Sequence, residues 1–138
     1  MNYLRAFAGG FVSTLVFHQS VIEVFHILGA FPRAPWNMTP VPPFGVPSVI
    51  SLAFWGGIWG IALWPTLRIA NGSAYWIRAI VLGAIGPTAV AVLVVVPMKT
   101  GVFPPHFDLK LIVGGLIVNA AWGFGLSLLM KWFRKVGT

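Results

Sequence analysis

Four long apolar runs constrain this chain more than any other feature. They cover about residues 4–28, 49–67, 76–96 and 109–130. A helix needs roughly 20 apolar residues to cross the hydrocarbon core of a bilayer, whereas a barrel strand needs only about 10. Inside lipid each segment must satisfy its own backbone polar groups, which favours helices. We therefore predict an all-α integral membrane protein with four transmembrane helices in a bundle, forming one domain over residues 1–138.

The composition agrees with this fold class. Hydrophobic residues make up 58% of the 138 and charged residues only 8%, whereas soluble domains are about one-quarter charged. The absence of cysteine excludes disulfides, thiolate metal sites and cysteine nucleophiles. The first run is longer than the roughly 7 to 15 residues of a secretory signal core and carries Glu23, so we expect it to remain as a helix.

Lysine and arginine are distributed unevenly between the two ends of the predicted helices. Three lie at one end, at Arg33, Lys99 and Lys110, and six lie at the other, at Arg5, Arg68, Arg78, Lys131, Arg134 and Lys135. The positive-inside rule then places both termini in the cytoplasm, and the size and topology favour the bacterial inner membrane. We assign the net charge of +7 to this topology signal and to contact with the lipid bilayer, not to nucleic acid.

The segment joining the first two runs, residues 31–48, contains six prolines. Proline fixes φ and lacks a backbone N–H, so we expect an extended, stiff loop without helix or strand. Two interpretations remain open. The loop is either a rigid connector or a docked lid, in which Trp36 and Phe44 pack over the mouth of the bundle or onto a partner.

Small residues recur at helix-packing spacing. Gly56 and Gly60 form a G-x-x-x-G ridge on the second helix, and Gly83 and Gly125 belong to similar small-residue pairs on the third and fourth. These ridges serve contacts within the chain or contacts with other chains.

A faint internal repeat accompanies these ridges. Residues of the first half match residues of the second at Arg5 and Arg78, Ala6 and Ala79, Gly10 and Gly83, and Trp59-Gly60 and Trp122-Gly123. Either the chain consists of two tandem parallel hairpins, or small and aromatic residues recur by composition alone.

The first helix also carries a polar stripe. At about 100° per residue His18, Gln19, Glu23 and His26 share one face, and Asn119 of the fourth helix is a polar group that could face it. An acidic side chain at the bilayer centre costs roughly 2.5 to 3.5 kcal/mol. The stripe must therefore face protein or water.

The remaining acid and histidine, Asp108 and His106, precede the fourth helix and could meet Glu23 and His26 at one depth. One interpretation is a buried structural cluster. A second is proton or cation handling by Glu23 with His18 and His26. A third is a zinc, copper or haem site. A di-iron centre is excluded because the chain has no second glutamate.

These features lead to three functional hypotheses. The sequence has no phosphate-binding glycine loop, no Ser-His-Asp set with sensible spacing and no paired carboxylates, so we do not expect an enzyme. The leading hypothesis is a non-catalytic accessory or scaffolding subunit of a larger membrane complex. The alternatives are a homo-oligomeric proton- or cation-coupled channel or transporter, and a haem- or metal-binding redox component.

Overall fold

A computed structural model describes residues 2–103 and 105–137. It contains four helices long and apolar enough to cross a membrane: α1 (Tyr3–Ile27), α2 (Ser48–Leu67), α3 (Gly72–Thr100) and α4 (Leu109–Val136). The prediction of an all-helical chain with four potential membrane spans is confirmed. We call the end of the helices that carries Tyr3 and Val136 the basic end, and the opposite end the loop end.

Side-chain caps and turn residues set the helix ends. The Asn2 side chain accepts a hydrogen bond from the Arg5 N–H at 3.1 Å and starts α1, and Asp108 accepts from the Lys110 N–H at 3.0 Å and starts α4. Such caps satisfy N–H groups that have no partner inside the helix. At the end of α3, Gly101 adopts a left-handed φ of 70°, which glycine allows without steric cost.

Two of the helices contain a π-helical turn. In α1 it covers Thr14–His18, and in α3 it covers Ala91–Val95. The second explains a difference from the sequence, where Pro97 marks the predicted end of the third helix. In the structure α3 continues through Pro97 to Thr100, because the wider π turn before it leaves room for the proline ring.

The proline-rich loop also differs from expectation. It contains a short antiparallel pair, β1 (Pro40–Val41) with β2 (Val46–Pro47), joined by a turn in which Gly45 has a φ of 70°. This pair stiffens the loop with backbone hydrogen bonds in addition to its prolines. The loop then joins α2 through bonds from the Ser48 N–H to the Thr39 oxygen and from the Val49 N–H to the Asn37 oxygen, both 2.9 Å.

The helices approach most closely at small residues. A Cβ added to Gly60 would lie closer than 3.0 Å to the Ala6 oxygen of α1, and one added to Gly123 would lie equally close to the Ala79 oxygen of α3. Gly10 lies against Gly56, and Gly83 lies against Gly123. Hairpins α1–α2 and α3–α4 are thus each packed by close contacts between small residues.

The buried core lies toward the basic end. Its largest fully buried side chains are Trp122, Tyr75, Leu67, Leu126 and Met130, and they come from α2, α3 and α4. Ala6 of α1 belongs to the same cluster. The loop end, by contrast, contains Gln19, Glu23 and His26 of α1.

Candidate functional site at the loop end of the first helix

The π turn changes the geometry of the polar stripe. A π turn holds more residues than an α turn, so side chains before it are rotated relative to those after it. Gln19, Glu23 and His26 all follow the turn, and at about 100° per residue they lie within roughly 60° of one another. His18 ends the π turn itself. The stripe therefore has three members on one regular helical segment and a fourth beside it.

Gln19 connects this helix to the proline-rich loop. Its side chain is only 3% exposed, and its Nε2 lies 3.1 Å from His18 Nδ1. Its Oε1 accepts a hydrogen bond of 2.8 Å from the backbone N–H of Trp36. Because the amide uses both of its ends, Gln19 fixes the loop and His18 together.

Trp36 is the loop residue that docks on α1. Besides its backbone bond to Gln19, its indole N–H donates to the Leu15 oxygen at 2.8 Å. Its φ is 49°, a left-handed conformation that costs a non-glycine residue roughly 1 to 2 kcal/mol. The two hydrogen bonds compensate for that conformation. The structure thus supports the docked-lid interpretation for Trp36, whereas Phe44 at the tip of the loop is 87% exposed.

His26 contacts the segment that follows its own helix. Its Nδ1 lies 2.9 Å from the Phe31 oxygen, and Phe31 folds back so that its ring packs beside Phe25, with ring centroids 5.0 Å apart. The same ring lies against Gly114 of α4, where an added Cβ would meet it. Phe31 therefore fills the space between α1 and α4 at the loop end.

Glu23 differs from its neighbours in the stripe. It is half-buried and lies between the buried Gln19 and the exposed side chains of Ser20, Val24 and Ile27. Within residues 2–103 and 105–137, its carboxylate has no hydrogen bond or ion pair. It lies about 6 Å along the helix from Ile27, the last residue of α1.

Asn119 takes part in a different contact. Its Nδ2 donates to the Thr88 hydroxyl at 2.9 Å, which links α4 to α3. Thr88 is 4% exposed, so this is a buried polar contact within the second hairpin. Asn119 is thus satisfied without the stripe on α1.

The residues considered as metal or haem ligands do not form one ligand set. In the described part of the chain, no three His, Cys, Asp or Glu side chains lie close enough together to hold a metal ion. The Asp108 carboxylate caps α4, His26 contacts the Phe31 oxygen, and His106 is exposed. The structure therefore does not bring Glu23, His26, His106 and Asp108 together.

A cavity of about 390 Å³ lies beneath the docked loop. Its wall is mostly apolar, with polar groups from Gln19, Arg33, Asn37 and Ser48 and apolar ones including Ile22, Phe31, Val49, Leu52 and Leu111. This volume falls in the range of small-molecule pockets, about 300 to 1,000 Å³.

Sequence reasoning did not identify this cavity. Its wall combines α1, the loop, α2 and Leu111 of α4, and only Gln19 carried a sequence signal, as a polar group inside an apolar run.

No protein-family model, no curated protein and no solved structure matches this chain.

Proposed function

We propose that this chain is a non-catalytic subunit of a larger membrane assembly, and that the loop end of α1 contacts another subunit. In this proposal the protein lies in a bacterial inner membrane with both termini in the cytoplasm, and its four helices form a bundle of two tandem parallel hairpins. The helices pack so that Glu23 stays half-buried at the edge of α1.

Glu23 is the observation that carries this proposal. A carboxylate within a membrane span is costly unless protein or water satisfies it. Glu23 has no such partner in the described part of the chain, and it borders the exposed side chains of Ser20 and Val24. A basic or hydrogen-bonding side chain of a neighbouring subunit would satisfy it.

An exposed aromatic side chain gives this end of the chain further support. Phe44 at the loop tip is 87% exposed, and it lies at the same end as Glu23. Large aromatic groups are enriched in the centres of protein interfaces, so Phe44 offers apolar contact area at the end of the chain that carries Glu23.

The test is native mass spectrometry of the protein purified from its own host in mild detergent. We expect the wild-type chain to co-purify with one or more larger membrane proteins at a fixed stoichiometry. The Glu23→Leu variant should keep its helical circular dichroism but lose that partner, because leucine cannot pair with a polar group across the interface.

Ser20→Leu is the matched control, since it introduces the same side chain one turn away on the exposed side of α1. We expect this control to retain the partner. A wild-type chain that purifies alone as a monomer would refute the subunit proposal. Equal partner loss in both variants would show that the exposed face, and not the carboxylate, makes the contact.

A second candidate function is a homo-oligomeric proton- or cation-coupled pathway. The contact between Gln19 and His18 favours this pathway, because the contact joins the titratable His18 ring to the Gln19 amide beneath the loop. Glu23 would be the titrating group, with His18 and His26 as relay. A π turn such as Thr14–His18 is frequent at functional sites.

Native mass spectrometry separates this candidate function from the first. The homo-oligomeric pathway predicts a complex of several copies of this chain and no other protein. In vesicles that hold the purified oligomer, Glu23→Gln should abolish a proton or cation flux while the oligomer stays intact. Unchanged flux in that variant would exclude the pathway.

A further inference from the structure

Aromatic rings hold two cations at the basic end. Lys131 and Arg134 are three residues apart on α4, so they lie on neighbouring positions of one helix face. The Lys131 ammonium lies 4.7 Å from the Trp76 ring centroid and 5.4 Å from that of Tyr75. The Arg134 guanidinium lies 5.2 Å from the Tyr75 centroid. These contacts direct both cations toward the start of α3.

The supporting rings are themselves fixed. Tyr75 is only 1% exposed, and its hydroxyl donates to the Ser127 oxygen at 2.8 Å. Trp76 stacks on Phe124 of α4, with ring centroids 5.5 Å apart and planes at 29°. The rings are therefore a rigid support between α3 and α4, and a cation placed on them loses little further freedom when it binds an anion.

Neither acidic side chain of the sequence lies at this end. The two acidic residues are Glu23 and Asp108, which lie near the last turn of α1 and at the start of α4 respectively, both toward the loop end. Neither acidic side chain of the sequence therefore neutralises Lys131 or Arg134.

An apolar track leads from Lys131 toward the middle of the span. Leu128 and Phe124 lie one and two turns before Lys131 on nearly the same face of α4, and they are 42% and 41% exposed. Cations at the end of a span with an exposed apolar strip beneath them match the two parts of an anionic lipid, a negative headgroup and an acyl chain.

We propose that Lys131 and Arg134, supported by Tyr75 and Trp76, form a binding site for the headgroup of an anionic phospholipid. One acyl chain of this lipid lies along Phe124 and Leu128. The site is independent of the proposed partner at Glu23, because it lies at the opposite end of the helices.

Native mass spectrometry with added lipid tests this site. The protein is delipidated in mild detergent and titrated with phosphatidylglycerol or with phosphatidylcholine of the same chains. We expect phosphatidylglycerol adducts in preference to phosphatidylcholine. The double variant Lys131→Gln/Arg134→Gln should weaken phosphatidylglycerol binding roughly 10- to 30-fold, since each basic residue near an anionic lipid surface contributes a several-fold factor.

The matched control is Lys99→Gln/Lys110→Gln, which removes the same charge from the loop end. It should bind phosphatidylglycerol like the wild type. Equal weakening in both double variants, or equal binding of the two lipids by the wild type, would overturn the site. Leu128→Gln gives a separate test, because it keeps both cations but makes the track polar, and unchanged binding would contradict the acyl-chain contact.

Glycerol 3-phosphate distinguishes a soluble anionic ligand from a lipid, because it carries the phosphate ester without acyl chains. If it binds at the same concentrations as phosphatidylglycerol, the site takes a soluble anion and the lipid proposal fails. If it does not compete, the lipid proposal stands.

Discussion

The two hairpins pack alike internally, but the seams that join them differ. Between α1 and α4, the Ser13 hydroxyl donates to the Trp122 oxygen at 2.6 Å, and the Trp122 indole N–H donates to the Gly10 oxygen at 3.0 Å. Between α2 and α3, Trp59 packs with its ring against Gly86. Buried hydrogen bonds join the first pair of helices, whereas ring packing and an exposed bond from the Arg78 guanidinium to the Thr66 oxygen, 3.1 Å long, join the second.

The residues that join the two hairpins occupy matched positions in the two halves of the sequence. Trp59 corresponds to Trp122, and the offset that matches Gly10 to Gly83 also matches Ser13 to Gly86. Each tryptophan thus faces the equivalent position of the other hairpin. A serine at that position hydrogen-bonds the tryptophan's backbone, whereas a glycine only makes room for its ring.

Substitutions at the close helix contacts that both hairpins share should reduce stability the most. Gly60→Ala and Gly123→Ala each place a Cβ against a backbone oxygen of the neighbouring helix, which cannot move aside as a side chain could. We expect each variant to lose roughly 3 kcal/mol of stability. Thermal unfolding in detergent, followed by circular dichroism, measures both losses.

Ala62→Leu is the control for these two variants, because Ala62 is exposed two residues from Gly60. It should be nearly neutral. Losses for Gly60→Ala and Gly123→Ala that differ by more than a factor of two would contradict the equivalence of the hairpins.

Substitution of the tryptophan at each seam should cause unequal losses of stability. Trp122→Phe removes a buried indole and its bond to Gly10, so we expect a loss of about 2 kcal/mol. Trp59→Phe shortens a partly buried ring without a comparable bond, and less than about 1 kcal/mol should be lost. Unfolding of the two variants under identical detergent conditions gives both values. A greater loss at Trp59 would reverse the assignment of the stronger seam.

Removing one polar contact from each hairpin should cause smaller losses of stability. Gln19→Leu removes the acceptor of the Trp36 N–H, so the loop should undock at a cost of about 1 kcal/mol. Hydrogen exchange should then increase at Trp36 and Thr39. Asn119→Leu removes only the bond to Thr88, for which about 0.6 kcal/mol is typical within membranes.

The Asn119→Leu variant should leave loop exchange unchanged. Faster loop exchange in both variants would mean that the loop responds to the whole bundle and not to Gln19.

Phe44→Ala should have the smallest effect on the isolated chain. Its ring is 87% exposed, so the change in stability should stay within about 0.5 kcal/mol. Partner recovery in the co-purification experiment should nevertheless fall, because the ring is proposed to contact another subunit. Full recovery of the partner would remove Phe44 from the interface.

Much of the fold could be read from the sequence, but the candidate site could not. Apolar runs predict membrane helices because the length requirement is local, and residues 49–67 closely match the observed α2, Ser48–Leu67. The π turn at Thr14–His18 lacks such a signal. Uniform helical spacing therefore placed His18 on the same face as Gln19, Glu23 and His26 without showing which of them would find partners.

The loop shows the same limit. Its prolines indicate stiffness, but they do not indicate that Trp36 reaches back to Leu15 and Gln19, or that the chain pairs Val41 with Val46. These contacts depend on where the loop lies after α1 and α2 have packed. Phe44 and Trp36 look alike in the sequence, and only the fold separates the exposed ring from the docked one.

The sequence alone determined that this chain forms four long apolar helices with basic residues concentrated at one end, because hydropathy, helix length and charge are properties of short segments. The tertiary structure decided which polar groups are satisfied within the chain. It paired Asn119 with Thr88 and Gln19 with Trp36, and left Glu23 half-buried at the edge of α1. Hydrogen bonds between helices require distances of about 3 Å between residues far apart in the chain, and such distances are fixed only when the helices pack.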